Sequence, residues 1–233
     1  MSQVDSASHN TRGSTMAVNL QTDILELRRS LLSMGALVEQ RVNAIVEALI
    51  ETNLEIAQSV RSGDDEIDQM EVAIEAQCMR LLALAHPVAT DLRFVLAVIR
   101  ISGELERIGD LARGVSKRII KMSQSDPVEL PPPLIDLAFG ARTMLSDVLS
   151  AMTNEDAHLC RQVRRSDQRL DDIHKTVLLW GRAELPKNPQ SAGTAIEILA
   201  IAQRFERIAD VAAHIADDVI FLIEGRVVRH DHP

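Results

Sequence analysis

Two five-residue runs hold the residues most suited to chemistry: Glu106-Arg-Ile-Gly-Asp110 and Glu206-Arg-Ile-Ala-Asp210, each a carboxylate pair four residues apart. On a helix that spacing is about one turn, so both members of a pair share a face. Like charges so placed repel, and a cation bridging them reverses the sign. A second pairing recurs upstream in each half, Asp64 with Asp68 and Asp167 with Asp171, and in the later copy His214 and Asp217 extend the stripe begun by Glu206 and Asp210. Carboxylates gathered from two helices would form an oxygen-rich site for Mg, Mn, Ca, Fe or Zn. A lone E-x-x-x-D on a polar face is ordinarily a solvated surface feature. Its repetition in both halves weighs towards metal binding. Arg107 and Arg207, each following the first carboxylate, equally fit ion pairs between helices, and both readings stand.

Other chemistry is weaker. Glu155-Asp-Ala-His158 has the E-x-x-H spacing of di-iron bundles, but that centre needs two inward-facing copies, and the only approximation is Asp171-Asp-Ile-His174. His86 beside Pro87 reads as a helix end. His230 and His232 fall in a short tail. With no Gly-rich phosphate loop, G-x-S-x-G elbow or Cys/His pairing, the chain carries no visible catalytic apparatus and is expected not to be an enzyme.

Positioning those carboxylates requires helices. Periods of three and four predict six, over residues 22–61, 64–85, 88–124, 134–165, 167–185 and 194–225. Ser62-Gly63, His86-Pro87, Asp126-Pro127 with Pro131-Pro132-Pro133, and Pro186 to Gly193 supply the breaks. The halves repeat. Leu105, Ile108, Ala112, Val115, Ile119 and Met122 match Phe205, Ile208, Ala212, Ile215, Val219 and Leu222 one hundred residues later, an apolar stripe on one helix face. If that stripe faces a core, Glu106 and Asp110 fall on the solvent side. The expected fold is all-α, two tandem pseudo-symmetric three-helix bundles. Residues 1–20 would form a floppy tail, 21–125 and 134–226 the repeats, 126–133 an extended proline-rich divider, and 227–233 a second tail.

Composition narrows the function. Of 233 residues 46% are hydrophobic and only 2% aromatic, enough apolar side chain for a core and better suited to helix seams than to sheets. The formal net charge of -9 repels a phosphate backbone, so nucleic-acid binding is not expected. Cys78 and Cys160 lack disulfide or zinc spacing and suit a reducing compartment. No stretch reads as a secretion leader or as the roughly 20 apolar residues of a membrane span, so a cytoplasmic location is expected.

The ordered features resemble the PhoU family over about Gln21 to Gly225: Met34-Gly35 in a long first helix, Leu81-Leu-Ala-Leu84 leading through Pro87-Val-Ala-Thr-Asp-Leu-Arg93, Leu105 to Asp110, and Phe205 to Asp210 running into Ala216-Asp-Asp-Val219. The resemblance implies two three-helix bundles, commonly dimeric, with metal ions held at Glu106 and Asp110, Glu206 and Asp210, Asp64 and Asp68, and Asp167 and Asp171. It also implies a non-catalytic negative regulator of phosphate uptake and phosphate-starvation signalling. Such a protein would contact the phosphate ABC transporter ATPase and the phosphate-sensing histidine kinase, lying at the membrane only through these partners. An accessory protein of another ion transporter is the alternative, and a di-iron bundle the remoter one. The family's usual Asn four residues after each motif's Asp is here Gly114 and His214, so the halves would differ in the metal they hold, or the first would hold none.

Overall fold

The computed structural model describes residues 19–63, 65–124, 128–187 and 190–228. Among these the chain is helical without strands: α1 (Leu20–Ile50), α2 (Leu54–Ser62), α3 (Asp65–Leu84), α4 (Ala89–Met122), α5 (Pro132–Asn154), α6 (Ala157–Glu184) and α7 (Ala192–Glu224). Six are long, as the periodicity predicts, and α2 has only nine residues.

Two breaks lie elsewhere than expected, and they copy each other. The first helix ends at Ile50, not Arg61, and the helix expected to run to Arg165 ends at Asn154. At each true turn a non-glycine residue takes left-handed backbone, Thr52 and Glu155 both at φ 53°. The next residue then caps the following helix. Asn53 Oδ1 accepts from the N–H groups of Glu55 and Ile56 at 3.1 and 3.2 Å, and Asp156 Oδ1 from those of His158 and Leu159 at 2.9 and 3.0 Å. Gly63 instead splits the second helix of the first half into α2 and α3, whereas Ser166 at the matching place continues α6. The Arg41 guanidinium occupies the space a Gly63 side chain would need and donates to the carbonyls of Val60 and Gly63. The matching position on α5 is Met144, which has no such donor. Nor does the extended proline path reach Pro133. Only Pro131 is extended, while Pro132 and Pro133 open α5, where a missing N–H leaves no intrahelical bond unmade.

Helices α1 to α4 pack together, α5 to α7 pack together, and the two sets meet along α4–α7 and α1–α5. The predicted stripe is the seam. Leu105, Ile108, Ala112, Val115, Ile119 and Met122 are buried against Phe205, Ile208, Ala212, Ile215 and Val219, and Leu222 is half-buried at the end. Both sets share one contiguous apolar cluster. Ion pairs across the seam give its direction: Arg100 meets Asp218, Glu104 meets His214 and Arg118 meets Glu197. Numbers rise on α4 as they fall on α7, so the helices are antiparallel and related by a pseudo-two-fold near Gly109 and Ala209. No described helix is long and apolar enough to cross a membrane. Burial pushes the Cys78 and Cys160 thiols up to about 12, the state of inert core cysteines.

Because one core serves both halves, Phe205→Ala is expected to cost about 3–5 kcal/mol and to lower both halves in a single unfolding transition. Urea titrations followed by Trp180 fluorescence and by far-UV circular dichroism check this; two separated midpoints would contradict the shared core.

Candidate metal centre

The second half gathers its acids. Asp171 on α6 and Glu206 and Asp210 on α7 bring one carboxylate oxygen each within 4.8 Å of one another, all three half-buried. Asp167 stands one turn before Asp171, and His174 three residues after it, its Nδ1 4.0 Å from Glu206 Oε1. Asp167 Oδ1 and His174 Nε2 are buried without a hydrogen-bond partner. His214, one turn beyond Asp210, is exposed, with its Nδ1 3.8 Å from Glu104 Oε1 of α4.

This crowding shows in the titration of the groups. Burial first, then the charges of Asp210 and Asp171, pushes Asp167 up to about 6; the same three causes push Glu206 up to about 6. Asp210 is raised by burial and by Asp171, against the opposing pull of His214, Arg107 and Arg207. Burial lowers His174, which favours a neutral imidazole whose one unprotonated nitrogen can accept a cation. Hard oxygens supplemented by one imidazole, with two buried polar atoms unpartnered, fit a divalent or iron ion.

The first half, built on the same helices, does not converge in this way. Glu106 is half-buried, but Asp68 and Asp110 are exposed, and Asp110 is tied to Arg113. Asp64 lies outside the described residues. No other trio of His, Cys, Asp or Glu among the described residues comes as close as the second-half set. Glu71 stands where the second half has His174, its carboxyl raised by burial, Glu75 and Asp68.

Several expectations change. Of the pair expected on the solvent side Asp110 is exposed but Glu106 is half-buried, and Glu206 and Asp210 are half-buried beside Asp171 of α6. Asp217 leaves the stripe: it is 8% exposed and pairs with Arg164 Nε of α6 at 2.8 Å. Arg107 pairs with Glu104 one turn away at 3.6 Å and reaches across the seam to bias Asp210. Glu155 and His158 are exposed at the α5–α6 turn, with Glu155 bound to Arg28, so no inward E-x-x-H pair forms. His174 joins this cluster although neither repeated carboxylate motif includes it. Its spacing of three from Asp171, on the face already carrying Asp167, was the available signal.

A family model described as "PhoU domain" matches the chain twice, over residues 31–119 and 134–219. A protein from Pseudomonas putida named "Phosphate-specific transport system accessory protein PhoU homolog" is 36% identical over 211 residues, spanning 89% of this chain and 82% of its own length. A relative of the same name from Aquifex aeolicus is 30% identical over 218 residues, 92% of this chain and 97% of that one. The crystal structure of PhoU from Pseudomonas aeruginosa superposes with TM-score 0.84 at 34% identity, covering 89% of this chain and 100% of that chain. The phosphate transport system regulatory protein PhoU from Streptococcus pneumoniae gives 0.82 at 28%, covering 90% and 99%.

Raised carboxyl pKa values mean that the folded chain holds protons at Asp167 and Glu206 more tightly than the unfolded chain does. The resulting stabilisation is complete below the ordinary carboxylate range and is lost as pH rises through about 6. In metal-free buffer the wild-type melting temperature is therefore expected to gain about 2–4 °C more than that of Asp167→Asn/Glu206→Gln when pH falls from about 7.5 to about 5. Equal changes in both proteins, read by calorimetry, would contradict the assignment.

Proposed function

The chain belongs to the PhoU family, and from that membership we propose that it restrains phosphate uptake and phosphate-starvation signalling as a non-catalytic adaptor. It works in the cytoplasm as a homodimer, docking on the phosphate ABC transporter ATPase and on the sensor histidine kinase. The observation that carries this reading is similarity running through both halves to proteins named as accessories of phosphate-specific transport.

Within that role, Asp171, Glu206 and Asp210, supported by Asp167, His174 and His214, hold a divalent or iron ion. Such an ion would offset the repulsion among the half-buried carboxylates and fix α6 against α7, stiffening the face offered to partners. The support is the convergence of donors and the two unpartnered buried atoms.

Deleting the gene is expected to leave phosphate-starvation genes expressed in phosphate-rich medium, with repression restored by the intact gene on a plasmid. Transcript levels of the transporter operon check this; normal repression in the deletion strain would overturn the regulatory reading.

A further inference from the structure

At the opposite end of the α4–α7 seam, the charge is reversed. A cavity of about 250 Å³ is lined by Arg113, Lys117, Arg118 and Lys121 of α4 and Arg204 of α7, with Asp110 and Gly114 completing the wall. Among the described residues five cations face two carboxylates, Asp110 and Glu197 behind the wall, although the chain as a whole is acidic.

Two arrangements distinguish this from a scatter of surface lysines. Glu197, only 2% exposed, holds Arg118 at 3.0 Å and Lys121 at 2.5 Å, so one buried carboxylate fixes two cations side by side. Gly114 supplies the notch in which Arg204 lies: a Cβ there would come 2.5 Å from Arg204 Nε, and Arg204 in turn donates to the Ala200 carbonyl at 2.9 Å. The pseudo-two-fold relates this pair to His214 and Glu104 at the other end. Like charges are crowded here, since Arg118 and Arg207 add to burial in lowering the Arg204 pKa.

We infer that this cavity binds a small soluble polyphosphorylated anion, such as pyrophosphate or the phosphate chain of a nucleotide. Planar guanidiniums and point-charged ammoniums are the usual partners of phosphate oxygens. A single phosphate group carries about -1.5 to -2 at neutral pH, less than the positive surplus in the wall, whereas linked phosphates match it more closely. The reading is independent of the metal assignment, because none of the second-half acids lines this cavity.

Titration calorimetry on the full-length protein, in EDTA to exclude metal-bridged binding, uses pyrophosphate as the probe. Binding is expected to weaken as salt rises from about 50 to about 200 mM. Lys117→Gln/Arg204→Gln should lower affinity at least about tenfold without changing helicity or melting temperature. Gly114→Asn, which displaces Arg204, should weaken binding likewise, and Arg169→Gln/Lys175→Gln on α6 should leave it unchanged. Absence of pyrophosphate binding to the native protein, or equal affinity in native protein and Lys117→Gln/Arg204→Gln, would overturn the proposal. So would binding confined to phosphatidylglycerol vesicles, which would assign the cations to a lipid surface.

Discussion

The antiparallel packing of α4 on α7 decides which faces of both helices remain for chemistry. Each turns its apolar stripe into one shared core, and the residues flanking the stripe are carried to the edges of the seam, where α4 meets α7 and each meets its own repeat. A pseudo-two-fold passes through this packing, so every edge position occurs twice. Burial therefore constrains the stripe, where Leu105 answers Phe205 and Ile108 answers Ile208, and leaves the edges able to diverge without loss of the core.

Divergence is visible in single substitutions. At one end His214 faces Glu104, beside Asp167, Glu206 and Asp210, whose carboxyls burial and neighbouring charge raise above their ordinary pKa range, with Asp171 in the same groove. At the other, Gly114 makes room for Arg204, and Glu197 stands where α4 has Ala97. Half-burying like charges opposes folding, and a chain retains such an arrangement only against a compensating gain. A cation at the acidic end and an anion at the basic end are the compensations these two environments favour.

Much of this was legible from residue spacing. The stripe, the duplication and the pairing of D-x-x-x-D with E-R-I-x-D follow from helical period, which is why α4, α7 and four of the clustered acids could be placed in advance. The helix breaks were misplaced for a local reason. Thr52 and Glu155 turn the chain through left-handed backbone without the glycine or proline that usually marks it, while Gly63 looks like the end of a long antiparallel helix and instead parts α2 from α3. Which acids converge depends on the depth of the α6–α7 groove, on His174, and on whether an arginine such as Arg113 intercepts a carboxylate. Those are properties of side chains meeting across helices, and a periodicity within one helix does not contain them.

The chain belongs to the PhoU family, and in the role proposed for it the inequality of its two repeats is the feature through which ions would act. The most direct measurement is manganese stoichiometry by equilibrium dialysis and elemental analysis on wild type, Glu206→Ala/Asp210→Ala and Glu106→Ala/Asp110→Ala. One ion per chain, lost in the former variant and kept in the latter, is the expected result. Two ions per chain, or one that survives removal of Glu206 and Asp210, would contradict the account.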